Sequence, residues 1–226
     1  GIKNNLKQDG ILIIEFGHLL EIIKGIQFDK FYHEHFSYYS LTSVKKILSH
    51  FSLKIFDLNK IPFQGGSLRL YICHNKKKIK INKRIEKILK DEKKNRLNRI
   101  SGYKNFKKKF KIIKNNIQKF YYNHKNSIID GYGAGARTVV TLSVFDYKLK
   151  LFRNIYDKSI LKINRYFPGT DIKILEPSKI KKFQPEYLVI FPWEIKKEIL
   201  NFIKKIDLKK KLKIVTLFPK IKIFKI

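Results

Sequence analysis

The sequence contains no methionine, a single tryptophan and a single cysteine, Cys73. One cysteine excludes a disulfide within the chain and a zinc cluster built from several of its cysteines. A reducing, cytoplasmic setting fits this composition. Because the chain begins at Gly1 and has no methionine, we expect it to be a fragment whose start lies upstream.

Long apolar runs are also absent from the sequence. No stretch approaches the roughly 18 consecutive apolar residues that a membrane-spanning helix needs, and the N-terminus has no signal-peptide hydrophobic segment. The sequence therefore predicts a soluble protein with no membrane partner. Hydrophobic residues still make up 43% of the 226 residues, enough for one large or two small packed domains.

Acidic residues are few, because 18 Asp and Glu stand against 51 Lys and Arg, a formal net charge of +33. Such an excess attracts polyanions, so a basic nucleic-acid-binding protein is one alternative. The basic residues, however, run through nearly every segment instead of forming one arm or stripe. We therefore interpret the charge mostly as solvated surface and expect no specific nucleic acid partner.

The first third of the chain has the pattern of half an α/β domain. Residues 11–16, ILIIEF, form a short apolar run that predicts a buried strand of a parallel sheet. Ser40 or Thr42 can cap a helix whose apolar residues recur at helical spacing. Two further strands are predicted at 53–58 and 67–74.

The rest of the chain predicts helices followed by a second α/β domain. Residues 76–125 have apolar side chains at spacings of three and four, which predicts amphipathic helices broken near Gly102. Residues 126–226 alternate strand and helix, which predicts a Rossmann-like α/β domain with a mostly parallel sheet. The strands are predicted at 127–130, 152–157, 172–175, 187–191 and 213–217. One predicted helix ends near Phe145, and another spans 194–206.

The sequence GYGAGA, residues 131–136, lies between a predicted strand and a predicted helix. Gly131 and Gly133 allow close backbone approach, amides at the helix start favour a phosphate, and Arg137 can pair with phosphate oxygens. Glycines at such a turn can equally serve packing. With Asp157 as a ribose-binding acid, the same turn also fits an NAD(P)-dependent oxidoreductase.

The stretch FYHEHFSYYS, residues 31–40, gathers histidine, glutamate and tyrosine in one place. It fits a metal site poorly, because no further ligand follows at a recognisable spacing. A structural aromatic corner and a general acid–base site both stay open. In an extended segment Tyr32 and Glu34 share one side while His33 and His35 share the other, and a carboxylate can orient a neighbouring imidazole.

Taken together, these motifs resemble the sugar-nucleotide C-methyltransferase family, whose enzymes add a methyl group from S-adenosylmethionine to a ring carbon of a deoxysugar nucleotide. The resemblance covers nearly all of the chain. It implies the end of a class I methyltransferase domain at 1–75, a helical connector at 76–125 and a C-terminal Rossmann-like domain at 126–226. The matching blocks are FDKFYHEHFSYYSLTSVKKIL (28–48), GGSLRLYI (65–72), GYGAGARTV (131–139), RYFPGTDIKILEP (165–177) and YLVIFPWEIKKEI (187–199).

The family also has an N-terminal zinc module and a glycine-rich loop that binds S-adenosylmethionine. The resemblance implies that both lie outside this chain. Zinc is therefore expected only in the missing module, and most of the S-adenosylmethionine site lies upstream.

The resemblance further implies the role of each site residue. His35 is the general base that removes a proton next to the sugar ketone, giving an enolate that attacks the methyl group. Glu34 orients His35, Tyr32 hydrogen-bonds the sugar or its oxyanion, and His33 points away. Arg69 can equally brace its hairpin, and Gly135 stands where the family usually has proline. The implied sugar-nucleotide contacts are Gly131, Gly133, Ala134, Arg137, Ser67, Arg69, Tyr166 and Thr170.

Overall fold

The computed structural model describes residues 1–144, 151–208, 211–218 and 220–225. The chain forms two compact units. The first unit comprises residues 1–26 and 35–108, and the second comprises residues 27–34 and 109–226. Segment 27–34 therefore belongs to the C-terminal unit although it lies near the N-terminus of the sequence.

The structure has helices and strands in both units. The helices are α1 (Ile2–Asn5), α2 (Leu19–Lys24), α3 (Leu41–His50), α4 (Arg84–Lys94), α5 (Lys104–Asn123), α6 (Ala136–Ser143), α7 (Ile180–Phe183) and α8 (Lys196–Ile203). The strands are β1 (Leu12–Gly17), β2 (Leu53–Ile61), β3 (Ser67–His74), β4 (Ile129–Tyr132), β5 (Asn154–Tyr156), β6 (Lys173–Leu175), β7 (Tyr187–Ile190), β8 (Lys213–Thr216) and β9 (Lys222–Lys225). No helix in the described part of the chain is long and apolar enough to cross a membrane.

The first unit contains a three-stranded sheet in the order β1-β3-β2. Both pairings are antiparallel, so the prediction of a parallel strand at 11–16 is wrong. The reason lies in the side chains of β1. Leu12, Ile14 and Phe16 pack against the core, whereas Ile13 points away and is 56% exposed. An apolar run with isoleucine on both faces hides this alternation.

Helix α3 begins where its capping signal predicts. The Ser40 hydroxyl accepts a hydrogen bond from the Ser43 amide at 3.0 Å, and the Ser43 hydroxyl accepts one from the Ser40 amide at 3.1 Å. This reciprocal arrangement satisfies two amides that have no partner inside the helix. Leu41, Val44 and Leu48 then bury one face of α3 in the core of the first unit.

A short 3₁₀ turn, Ile100–Tyr103, separates α4 from α5. Both helices lie in the region where amphipathic helices are predicted, and the 3₁₀ turn contains Gly102. Helix α4 buries Ile85 and Ile88 on the core of the first unit. The boundary between the two units, at 108/109, falls within α5.

The second unit contains a six-stranded sheet in the order β6-β5-β4-β7-β8-β9. Strands β4 to β8 are parallel, and β9 pairs antiparallel with β8 at the edge. Counted from β4, this is the order of a doubly wound, Rossmann-like sheet. The predicted α/β fold with a mostly parallel sheet is therefore confirmed for this unit.

The central parallel strands are covered on both of their faces. Every residue of β4, β5 and β7 is buried. Strand β4 starts two residues later than predicted and includes Gly131 and Tyr132. Strand β9 was not predicted, and the predicted helix end at Phe145 lies outside the described residues. The predicted helix at 194–206 is shorter, since a 3₁₀ turn over Trp193–Ile195 precedes α8.

Candidate active site

A cavity of about 580 Å³ lies at the carboxyl ends of the central strands of the second unit. Its lining includes the turn after β4, Asp157 and Lys158 after β5, and Phe191 and Pro192 after β7. Strands β4 and β7 are neighbours whose chain connections leave in opposite directions along the sheet. Such a switch point is where open α/β sheets bind ligands.

Gly131, Gly133 and Gly135 differ in what the surrounding structure requires at their positions. A Cβ on Gly131, inside β4, would lie 2.8 Å from Phe191 Cε2, so close packing accounts for this glycine. Gly133 has φ +95°, and a Cβ there would lie 2.6 Å from Pro192 Cδ. Gly135 lines the cavity, and a Cβ there would meet nothing within 4 Å.

The start of α6 offers unpaired amides to the cavity. The backbone amides of Gly135, Ala136 and Arg137 donate to no group in the described part of the chain. No acidic residue lies in the first turn of α6, so the partial positive charge at its start is not offset there. Gly135, Ala136 and Arg137 all line the cavity, and such amides favour an anion.

Asp157 stabilises the glycine turn. Its Oδ2 accepts a hydrogen bond from the Ala134 amide at 2.6 Å, and its Oδ1 accepts one from the Ser159 amide at 2.8 Å. The Lys162 ammonium lies 3.5 Å from Oδ2. Burial, with a smaller contribution from Asp157, raises the pKa of Tyr132 to about 12, so its hydroxyl stays protonated at neutral pH. Sequence reasoning missed that Asp157 holds the glycine turn through the Ala134 amide.

Segment 27–34 brings part of the FYHEH motif to the cavity of the second unit. Tyr32 and Glu34 both line it. Burial raises the pKa of Tyr32, and the nearby Glu34 carboxylate raises it further, so the phenol keeps its proton. His33 is exposed, with its ring centre 6.5 Å from that of Tyr32.

Arg137 is held by two carboxylates of the second unit. Its Nε donates to Asp29 Oδ2 at 2.8 Å, its Nη2 donates to the same oxygen, and its Nη1 donates to Glu194 Oε2 at 2.5 Å. Burial opposes the charge of Arg137, but the two carboxylates raise its pKa above the ordinary value. The guanidinium also lies 5.6 Å from the ring centre of Trp193. Sequence reasoning missed Asp29, which is 108 residues from Arg137.

Ser67, Arg69 and His35 belong to the first unit. Ser67 is buried at the start of β3, and its hydroxyl donates to the Phe63 carbonyl at 3.3 Å. Arg69 pairs with Glu15 across β1 and β3, with Nη2 at 2.8 Å from Oε2, so it braces the sheet. His35 is half-buried, and its ring centre lies 6.1 Å from that of the Tyr38 ring.

Tyr166 and Thr170 belong to the second unit, and neither is among the described residues that line the cavity. Tyr166 is exposed and forms an isolated bridge with Lys173. The Thr170 hydroxyl donates to the Phe167 carbonyl at 2.9 Å and thereby closes a turn. Within the described ranges, no group of three or more His, Cys, Asp or Glu side chains is placed to hold a metal ion.

The second unit is thus a Rossmann-like domain with a ligand crevice at its switch point, the class to which many nucleotide-binding enzymes belong. The chain belongs to the family described as "C-methyltransferase C-terminal domain", which it matches over residues 62–219. The predicted resemblance to C-methyltransferases is therefore confirmed.

A curated relative extends the similarity beyond the family match. C-methyltransferase NovU of Streptomyces niveus is 24% identical to this chain over 203 residues, which is 89% of the chain and 48% of the relative. The chain thus spans about half the length of the relative. Neither comparison supports the nucleic-acid-binding or the NAD(P)-dependent alternative.

Proposed function

We propose that this chain is part of an S-adenosylmethionine-dependent C-methyltransferase that acts on a keto-deoxysugar nucleotide. The observation that carries the proposal is the crevice of the second unit, because the glycine turn, Tyr32 and Glu34 all line it. Membership of the C-methyltransferase family supports the same reaction class. Within this proposal, residues 1–75 form the end of the methyltransferase domain, 76–125 the connector and 126–226 the C-terminal domain.

The crevice is suited to a nucleotide. Its volume of about 580 Å³ lies in the range of small-molecule sites. The phosphates would accept hydrogen bonds from the backbone amides of Gly135, Ala136 and Arg137 at the start of α6, where Gly133 gives the turn its shape. Phe191 and Pro192 provide an apolar wall. The contacts proposed from the resemblance alone are Gly131, Ala134, Ser67, Arg69, Tyr166 and Thr170.

The chain's own residues would carry out the proton transfer. His35 takes the proton from the carbon next to the ketone. The C–H electron pair forms the carbon–carbon double bond of the enolate, and the π pair of the ketone moves onto its oxygen. The Tyr32 hydroxyl donates a hydrogen bond to that oxygen, since its raised pKa keeps the phenol protonated. Glu34 stabilises the imidazolium of His35. The role of His35 is supported by the resemblance and by its position directly after Glu34.

S-adenosylmethionine would supply the methyl group. In its described residues the first unit has three antiparallel strands and no parallel strand–helix–strand crossover of the kind that carries an adenosine-binding glycine loop. The described residues of the first unit therefore do not fit a complete donor site. We assign no step of the reaction to donor contacts within them.

Calorimetry on the chain tests the binding part of the proposal. We expect at least one of dTDP-glucose, UDP-glucose and GDP-mannose to bind, and NAD and NADP not to bind. Binding of NAD or NADP without any sugar nucleotide would instead favour an oxidoreductase. Failure of every ligand to bind would overturn the assignment of the crevice.

A further inference from the structure

Three side chains of the second unit form an ion-pair cluster beside the cavity, which we name the Arg137 clamp: Asp29, Arg137 and Glu194. Asp29 lies in segment 27–34, Arg137 in the first turn of α6, and Glu194 in the 3₁₀ turn after β7. One guanidinium therefore joins three separate elements. Asp29 is 1% exposed, so its carboxylate is shielded from water.

Segment 27–34 is fixed at its beginning by packing as well. The Phe28 ring packs edge-on against Phe110 and Phe218, with centroid distances of 4.8 Å and 5.0 Å. Lys30 is buried, and burial lowers its pKa. The next residues that line the cavity are Tyr32 and Glu34. The clamp thus holds the segment through Asp29, three positions before Tyr32.

The two carboxylates of the clamp neutralise the charge of the Arg137 guanidinium. Three of the five guanidinium N–H groups donate to carboxylates. A buried guanidinium with two carboxylate partners is already neutralised, and pulling it toward a phosphate would leave Asp29 without its partner in a buried position. The main use of the Arg137 side chain is therefore to hold the segment.

We propose that Asp29 and Glu194 are positioning residues, which act through Arg137 to fix the part of segment 27–34 that presents Tyr32 and Glu34 to the sugar. This inference rests on the proposed function, because it assumes that a sugar nucleotide occupies the cavity. It adds a way in which this chain distinguishes a sugar nucleotide from the nucleoside diphosphate alone.

The alternative is that Arg137 binds phosphate directly and is only restrained by the carboxylates. The two possibilities predict different effects of Asp29→Asn on the binding of dTDP. If Arg137 is a phosphate ligand, Asp29→Asn frees N–H groups and strengthens the binding of dTDP. If Arg137 positions the segment, Asp29→Asn leaves the dissociation constant of dTDP within about twofold of the parent value. It weakens the binding of dTDP-glucose by about tenfold, which removes most of the affinity that the sugar adds.

The experiment measures the dissociation constants of dTDP and dTDP-glucose by calorimetry for the parent chain, Asp29→Asn, Arg137→Gln and the double variant; UDP or GDP ligands replace them if they bind more tightly. The sugar-dependent ratio is the dissociation constant of dTDP divided by that of dTDP-glucose. We expect this ratio to fall in each single variant. We expect it to fall no further in the double variant, because the two residues act as one unit. Additive losses, or tighter dTDP binding by Asp29→Asn, would overturn the proposal.

Asp207→Asn is the matched control. It removes the same charge at a carboxylate that is 86% exposed, so both dissociation constants should stay unchanged. Asp29→Asn is expected to fold, because burial raises the pKa of Asp29 and asparagine removes a charge whose burial is unfavourable. If it does not fold, Glu194→Gln provides the same test from the other carboxylate, with the same expected loss of the ratio.

Two ligand-free measurements separate failure of this inference from failure of the proposed function. Trp193 is the single tryptophan of the chain and lies beside Arg137, so its emission should shift in Asp29→Asn and not in Asp207→Asn. Hydrogen exchange of residues 27–34 should become at least about tenfold faster in Asp29→Asn, while α3 stays protected. If no sugar nucleotide binds the parent chain, the proposed function fails. Unchanged exchange in 27–34 would refute the clamp by itself.

Discussion

At the scale of single residues, the proposed chemistry depends most on His35. A neutral imidazole next to a carboxylate is suited to remove a proton from a carbon that a ketone activates. We expect His35→Asn to slow the exchange of that carbon-bound hydrogen for deuterium by at least about a hundredfold. Proton NMR of a keto-deoxysugar nucleotide in D₂O measures the exchange directly, and no methyl donor is needed.

The neighbouring His33 is the matched control for His35. It is exposed and has no role in the proposed chemistry, so His33→Asn should exchange hydrogen at the parental rate. Equal rates for His35→Asn and the parent chain would remove His35 from the role of base. Loss of exchange in both variants would point to a general effect on the fold.

A second residue-scale feature is the buried pair of His18 and Glu92 in the first unit. His18 is 0% and Glu92 is 2% exposed, and Nε2 lies 2.7 Å from Oε1. The Glu92 carboxylate also accepts from the Leu41 amide at 2.6 Å and from the Thr42 amide at 2.9 Å. One carboxylate thus satisfies the amides at the start of α3 and holds His18.

We expect Glu92→Gln to destabilise the chain by about 2 kcal/mol or more, because amides and an imidazole lose a charged acceptor in a buried place. Urea unfolding at neutral pH measures the loss. Glu86→Gln, at an exposed position on the same helix, should change the unfolding free energy little. A similarly small effect for Glu92→Gln would show that the pair contributes little to stability.

The pH dependence of stability follows from the same carboxylate. Burial opposes ionisation of Glu92, but hydrogen bonds from His18, Thr42 and Leu41 lower its pKa below the ordinary value. A depressed pKa in the folded state gives stability that is present above the unfolded pKa and lost as the pH falls through the folded one. We therefore expect the parent chain, and not Glu92→Gln, to lose this contribution below about pH 4.3. Urea unfolding at a series of pH values measures this loss. If the unfolding free energies of the parent chain and Glu92→Gln fell equally below this pH, Glu92 would not be the group responsible.

At the scale of elements, the turn between β4 and α6 contains two glycines with different requirements. We expect Gly133→Ala to destabilise the chain by about 1–3 kcal/mol, because φ is +95° and the added Cβ would clash with Pro192. We expect Gly135→Ala to stabilise it by about 0.4–1 kcal/mol, since φ is −94° and the space is open. Unfolding midpoints in urea compare the two, and a reversed order would refute this description of the turn.

Elements whose signals are local were predictable from the sequence. Ser40 marks the start of α3 because its hydroxyl acts within three residues of the same chain. The apolar run of β7 identifies a buried parallel strand because both of its faces are covered. The direction of β1 could not be read from ILIIEF, since pairing with β3 depends on residues far along the chain.

The candidate site was predictable in its motifs and not in its long-range contacts. GYGAGA and FYHEH each carry a recognisable composition, and Tyr32, Glu34 and Gly133 do line one cavity. The pairing of Asp29 with Arg137 gives no local signal, because the two residues are 108 positions apart and each looks like an ordinary surface charge. That segment 27–34 belongs to the second unit was hidden for the same reason.

At the scale of the whole molecule, the dominant property is the formal net charge of +33. A charge of this size attracts any polyanion without any dedicated site. The nucleic-acid alternative and the sugar-nucleotide proposal therefore differ in how binding depends on salt. Contacts that neutralise many phosphates release many counterions, whereas a diphosphate has few charges to neutralise.

We expect the chain to bind a random-sequence DNA duplex in low salt and to lose about 10³–10⁵ in affinity between roughly 50 and 200 mM NaCl. The affinity for the sugar nucleotide should fall less than about tenfold over the same range, because hydrogen bonds from the amides at the start of α6 do not depend on counterion release. Fluorescence anisotropy for DNA and calorimetry for the sugar nucleotide measure the two dependences in the same buffers. DNA affinity that persists at the higher salt, together with sugar-nucleotide binding that disappears there, would reverse the assignment in favour of a nucleic-acid-binding surface.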